Sequence, residues 1–457
     1  MKALLAINVL FWLCASYAYA DHNEEVEKFI IAGQAATYDC PKSNITPTLN
    51  SYLASDDLAK GQKDRLSLIK SHSLICVGQY SQAQDILDAL LDEAVSKSSA
   101  LYAGAVYQAG FILDVQENPQ RCNYYAEAQD LARDRFSDIY LSAQLGLITV
   151  CNQHNTDISV KLGKLYALLE QFLEIGDVAA IAHIHNNIGL LYGSIGQNEL
   201  AAEQYLKSYH MGLEVYETSN QLATLISAIS ANMASGDFVA AKENIEIFRK
   251  ANLGVNTPLT NTWLHYAESR YYFRIEEYEN LRNSLLKLHF YLPKVSSKII
   301  HRNAKLYAIA LCIHDDDAQC VQSFLAEQEA LSNSEHKKFL AKRDYLWVMT
   351  HAYFYTGNLK QAQRTFRRYA QVSNQQILDQ QHSGRVLGVA NLHGQITSLE
   401  SELEQQEAQK YRSIVLLSLA FILLLAGVYF FVVKRYIKRV STDALTGLLN
   451  ERAVIAI

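Results

Sequence analysis

An all-α chain of repeated helical hairpins is predicted by three features of the sequence. A turn residue returns at a step of 40, at Gly196, Gly236 and Glu276, and Gly357 stands about two steps further on. No run alternates convincingly with the period of two that a half-buried strand needs. The 5 prolines (Pro41, Pro47, Pro119, Pro258 and Pro293) fall where the helical pattern is already broken. With 457 residues, 49% hydrophobic and 19% charged, the chain can bury a large core. Its net charge of −6 carries no sign of nucleic-acid binding.

The chain opens as an export signal. Met1 and Lys2 form a small positive region, and the apolar run Ala3 to Leu13 is too short to cross a bilayer. Ala18-Tyr19-Ala20 supplies the small-x-small cleavage pattern, so residues 1–20 are expected to leave and the mature chain to begin near Asp21. Cys14 precedes that point, but Phe11-Trp12-Leu13 lacks the small residues of a lipoprotein signal.

Residues 21–371 carry the repeat. Between His185 and Ser208, Ile188, Gly189 and Tyr192 share one helix, Gly196 makes a turn, and Ala201 and Tyr205 share the next. This resembles the tetratricopeptide repeat, in which Leu-Gly-x-x-Tyr is followed by Ala and, four residues on, an aromatic. Gly189 and Ala201 let two antiparallel helices approach, and Tyr192 and Tyr205 fill the space between neighbouring pairs. The phrase returns as Gly78, Tyr80, Ala83 and Leu87; as Gly236, Phe238, Ala241 and Ile245; and as Glu276, Tyr278, Leu281 and Leu285. It returns again as Tyr353, Gly357, Ala362 and Phe366. The step places weaker turns near Asn118, Asn155 and Asp315 to Asp317, which makes about eight hairpins of roughly 40 residues against the usual ~34. The resemblance implies a superhelix whose concave face binds extended peptides or partner surfaces.

In residues 372–412, Val389, Leu392, Ile396, Leu399 and Leu403 step by alternating threes and fours, with Glu400, Glu402 and Glu404 on the flanks. That is the seam of a coiled coil, here expected to join two copies in parallel, although a lone amphipathic helix packed on the repeats has the same spacing. Ser413 to Val433 is then apolar and uncharged, long enough at ~1.5 Å per residue to cross the hydrocarbon core. Lys434, Arg435, Lys438 and Arg439 follow at once, which puts residues 434–457 in the cytoplasm and the repeats in the periplasm, with the chain held in a bacterial inner membrane.

Of 7 cysteines, Cys14 belongs to the export signal. The remaining Cys40, Cys76, Cys122, Cys151, Cys312 and Cys320 are an even set in an oxidising compartment, where disulfides form. Six cysteines permit 15 connectivities, and buried free thiols are the alternative. Within the repeat scheme, Cys312 and Cys320 meet across one hairpin turn and Cys122 and Cys151 lie on packed neighbouring helices, which leaves Cys40 for Cys76. His314-Asp315-Asp316-Asp317 has the residue types of a metal cluster but reads better as a solvated turn whose last Asp caps the next helix. His183 and His185, beside Asn186 and Asn187, read as packing or groove residues, and Ser235-Gly236-Asp237-Phe238 as a repeat turn without chemistry.

The last stretch places Asp443, Leu445, Thr446, Gly447, Leu448, Asn450 and Arg452 in D-x-L-T-G-L-x-N-x-R order. This resembles the opening motif of the GGDEF family of diguanylate cyclases, with Glu451 where the family has its first Arg. The resemblance covers about the final fifteen residues and implies an α/β output domain that binds GTP and magnesium and joins two GTP into cyclic di-GMP. No Gly-Gly-x-Glu-Phe loop occurs within the 457 residues, so no catalytic, cofactor or metal residue is expected here. The expected function is a periplasmic repeat sensor that controls a diguanylate cyclase through the membrane, its output domain cut short in this chain and its ligand a peptide or protein. The rival is an anchored, non-enzymatic binding scaffold. A histidine-kinase output is disfavoured, because no phosphoacceptor His follows the membrane segment.

Overall fold

The computed structural model describes residues 23–33, 40, 45–92, 98–151, 158–215, 219–330 and 342–441, the side chains of 219, 385–408 and 438–441 excepted. The export signal (1–20), the side chains of the seam from Val389 to Leu403, and the motif from Asp443 to Arg452 lie outside the described residues. Among those described, no strand occurs.

Two short helices come first, α1 (residues 23–33) and α2 (Thr46–Leu53). The hairpins follow in order. They are α3 (Lys60–Cys76) with α4 (Tyr80–Asp92), α5 (Ala100–Val115) with α6 (Arg121–Ala132), and α7 (Ser137–Val150) with α8 (Ile158–Ile175). Next come α9 (Val178–Ser194) with α10 (Asn198–Val215), α11 (Ser219–Ser235) with α12 (Phe238–Val255), and α13 (Pro258–Arg274) with α14 (Tyr278–Tyr291). Last are α15 (Lys298–His314) with α16 (Ala318–Glu329), and α17 (Arg343–Tyr355) with α18 (Leu359–Ser441).

The regular step has a local cause. Apart from α7 and α8, whose connection is not described, every hairpin turns on one left-handed residue: Gly78, Glu117, Gly196, Gly236, Glu276, Asp316 or Gly357. The next residue then donates its N–H to a carbonyl five back, as Gln197 does to Tyr192 at 2.9 Å, Glu277 to Tyr272 at 3.0 Å and Asp317 to Cys312 at 2.9 Å. This is the helix-ending bond pair that satisfies the last carbonyls of the first helix. Glycine takes that backbone freely; Glu117, Glu276 and Asp316 hold it at φ 57–59° against Cβ crowding, which is why these turns are faint in the sequence. Aspartate often starts the following helix, as Asp237 and Asp317 accept from the N–H of Ala240 (2.9 Å) and Cys320 (3.0 Å).

Packing repeats with the turn. Five residues after the left-handed residue sits a buried side chain: Ala83, Ala201, Ala241, Leu281, Val321 or Ala362. Four further on, Leu87, Tyr205, Ile245, Leu285 and Leu325 are buried as well. Phe366, expected to pack in the same way, is 56% exposed and touches Tyr369. The reason is positional: α18 belongs to the last hairpin, so no further helix pair covers its outer face. Gly189 is buried against the ring of Tyr205, and the Tyr192 hydroxyl meets that of Tyr166 at 3.0 Å.

The array also closes on itself. The Ser296 N–H donates to Gly78 O at 3.2 Å, joining the sixth hairpin to the first. The Gln197 amide donates to Gln380 O (2.7 Å) and to Ser383 Oγ (2.9 Å), and Ser383 in turn donates to Ile195 O at 2.9 Å. Those bonds tie the fourth hairpin's turn to α18. Residues up to Val386 form one compact unit and Leu387–Ile457 a second. In the second unit the helix continues, and Gln409–Ile437 is long and apolar enough to cross a membrane, with its side chains exposed.

Candidate functional site

Closure of the array leaves a cavity of about 1050 Å³ on its inner side. The α9–α10 turn (Gly193 to Gly196) forms one wall and the α15 face carrying Lys298, Arg302 and Lys305 another. Arg270 of α13, the start of α17 (Lys342 to Tyr345), and Gln376, Asp379, His382 and Ser383 of α18 complete it. Six Lys or Arg therefore face three acids, Glu327, Asp344 and Asp379, in a protein whose net charge is −6. Two of those acids are already engaged. Lys305 Nζ lies 2.7 Å from Glu327 Oε1, and Arg274 Nη1 donates to Asp344 Oδ1 at 2.9 Å.

Arg270 and Arg343 differ from the other cations. Both are half-buried, and neither makes a hydrogen bond or an ion pair with a described residue. Burial disfavours the charge on Arg270, but Tyr266, Tyr307 and Asp344 nearby outweigh it and hold its pKa above the ordinary value. Arg343 is pushed the other way, first by burial and then by the cations of Arg274 and Arg270. Two arginines sharing one cavity in this manner favour an anion between them. Apolar wall is interleaved with the charge at Ile299, Leu306 and Phe324.

A second cavity of about 700 Å³ lies between the first hairpins and the sixth. It is largely apolar, lined by Leu68, Tyr107, Phe111, Leu259 and Trp263, and His183 borders it. Burial there holds the His183 imidazole down to about 4 from an ordinary 6.5. As the pH falls from about 6.5, the unfolded chain takes up this proton before the folded one does, so stability declines until about pH 4. The expected loss between pH 7 and pH 5 is about 2 kcal/mol, and His185, also depressed by burial, acts in the same direction. Urea midpoints at the two pH values should converge in His183→Gln relative to wild type; an unchanged gap would remove His183 as the cause.

The remaining described residues singled out in the sequence have partners within the fold. Disulfides join Cys40 to Cys76, Cys122 to Cys151 and Cys312 to Cys320, with Cα separations of 5.7, 5.7 and 6.1 Å. In the His314–Asp317 segment, His314 stacks on Tyr278, Asp315 accepts from Arg282 at 2.7 Å, Asp316 accepts from the Tyr355 hydroxyl at 2.7 Å and Asp317 caps α16. His185 is buried with Nδ1 2.8 Å from Gln204 Oε1, and Asn187 donates to His183 O at 2.9 Å. Of the repeat and motif positions proposed from the sequence, Gly196 alone lines the basic cavity. One available signal was the stripe Lys298, Arg302 and Lys305, whose spacing of four and three puts three cations on one helix face.

No protein-family model matches the sequence, and no curated protein does. Among solved structures, the crystal structure of a Rap protein complexed with competence and sporulation factor aligns with a TM-score of 0.48 at 10% identity, covering 78% of this chain and 99% of that chain. At that identity it bears on no residue of the cavity.

Proposed function

We propose that this chain is a membrane-anchored receptor whose helical repeats hold a peptide or protein ligand and whose last helix carries the bound state toward the membrane. The observation that supports this reading is a single element. Helix α18 contributes Gln376, Asp379, His382 and Ser383 to the cavity, and it continues without a break to Ser441 through the apolar stretch Gln409–Ile437. A ligand seated in the cavity touches the helix that runs on into the span, so a shift or rotation of that helix is the natural output. The cations after Val433 orient the span with the repeats outside the cytoplasm.

The output we propose is diguanylate cyclase activity, on the resemblance of Asp443 to Arg452 to the GGDEF opening motif, with the chain paired through the seam from Val389 to Leu403. Magnesium and GTP would belong to that output domain. The alternative is an anchored scaffold without catalysis, which needs only the helical repeats and the apolar helix Gln409–Ile437. Extension of the reading frame past Ile457 into such a loop is expected for the cyclase, whereas a stop codon favours the scaffold.

The receptor reading is tested in membranes by single substitutions Leu392→Cys, Ile396→Cys and Leu399→Cys, with Gly394→Cys between them. Cross-linking at the first three and not at the fourth is expected, with a change in pattern when the cavity is filled. Equal cross-linking at all four, or none, removes the paired signalling helix.

A further inference from the structure

We infer that the inner cavity is a site for an acidic peptide, whose carboxylates take the hydrogen bonds that Arg270 and Arg343 leave unmade. This rests on the receptor reading and supplies the chemistry of its ligand. Each guanidinium presents five N–H donors in a fixed fork that matches a carboxylate, and none of these donors has an acceptor among the described residues. Asp344 stabilises both guanidiniums through its charge but hydrogen-bonds neither, its Oδ1 accepting instead from Arg274 at 2.9 Å.

A second observation points to the same charge. Helix α17 begins at the cavity wall, and Lys342 at its N-cap has no side-chain acceptor to offer the first-turn N–H groups. The positive end of that helix, partly offset by Asp344 in its first turn, adds to the two guanidiniums, and Lys298 and Arg302 line the cavity from α15. Positive charge is concentrated here although the whole chain is acidic, so the cavity attracts an anion.

The size and the apolar wall select a peptide over a lone ion. About 1050 Å³ is at the upper end of the pockets that small ligands fill, at roughly 300–1000 Å³. Ile299, Leu306 and Phe324 alternate with the cations, which suits a chain that carries both kinds of side chain and leaves most of the space useless to an inorganic anion.

The test uses the full chain in lipid nanodiscs and fluorescein-labelled hexaglutamate, read by anisotropy. Saturable binding is expected, weakened roughly ten- to a hundredfold by Arg270→Gln and by Arg343→Gln. Lys250→Gln, on the exposed side of α12, should leave it unchanged, and Arg270→Lys should restore only part of the loss because an ammonium lacks the fork. Two variants on different helices, each checked for an unchanged thermal midpoint, separate loss of the site from loss of the fold. The proposal is overturned if hexaglutamate does not bind, if hexaglutamine binds equally, if neither Arg substitution weakens binding, or if inorganic phosphate binds with the same affinity and the same dependence on both arginines. The α18 cross-linking pattern, measured in the same nanodiscs, keeps the two readings apart. Binding without a change in cross-linking removes the receptor reading and leaves the site, whereas a periodic seam with no hexaglutamate binding does the reverse.

Discussion

Gly189→Val is expected to lower the urea midpoint of the repeat array by the equivalent of about 3 kcal/mol. A Cβ on residue 189 would lie 2.7 Å from Cε1 and 2.8 Å from Cδ1 of Tyr205, closer than packed carbons come. The ring cannot swing clear, because Tyr205 is 6% exposed and packs with Ala201, Ala228 and Ala231. Removing a glycine from a helix interior works in favour of the variant by up to ~1 kcal/mol, and less for valine, so the overpacking decides the sign. Gly189→Ala should show the same direction at about half the size. Relief of the clash should make Tyr205→Ala cost less in the Gly189→Val background than in wild type, a coupling that a double-mutant cycle reads directly. A wild-type midpoint for Gly189→Val would mean that the two helices do not approach as closely as the geometry requires.

The larger effect is expected from the disulfides, and it should be graded by loop length. A bridge removes freedom from the unfolded chain in proportion to the logarithm of the loop it closes. Cys40–Cys76 closes a sequence separation of 36 and Cys122–Cys151 one of 29, so each contributes about 4 kcal/mol on this basis. Cys312–Cys320, with a separation of 8 across one turn, contributes roughly 2.5 kcal/mol. Serine replacements of each pair should lower the thermal midpoint in that order. Losing the first bridge also unties Cys40 from the buried end of α3, and losing the second leaves Lys161, itself buried, donating to Cys151 O at 2.7 Å without a covalent anchor beside it. If Cys312→Ser/Cys320→Ser proves the most damaging of the three, loop entropy is not the governing contribution.

Much of the fold was legible in the sequence for a reason visible in the turns. Each described hairpin turn ends its first helix with bonds that span five residues, and its two helices meet through a small or apolar residue five positions later. Both relations are local, so they leave a periodic trace: Gly196, Ala201 and Tyr205 announce a hairpin by themselves. The trace fades where Glu117 or Asp316 holds the left-handed position, and there only the 40-residue step recovers the turn. It misleads at Phe366, which has the repeat's spacing but no following hairpin to bury it, because exposure depends on what lies beyond the element.

The cavity shows the opposite case. Arg270, Lys298, Arg302 and Arg343 read individually as ordinary helix-surface cations, and nothing in their spacing joins α13 to α17. Gln376 to Ser383 read as the approach to a coiled coil, with no hint that they wall a pocket. These groups meet because a small rotation per hairpin accumulates until the first hairpin touches the sixth and the fourth touches α18. By itself, then, the sequence determined the helical hairpins, their step and the apolar helix long enough to span a membrane, since each follows from contacts between residues near one another in the chain. Only the tertiary structure decided which cations share one cavity and which of them lack a hydrogen-bond partner among the described residues, since that depends on the summed geometry of several hairpins, which no local pattern encodes.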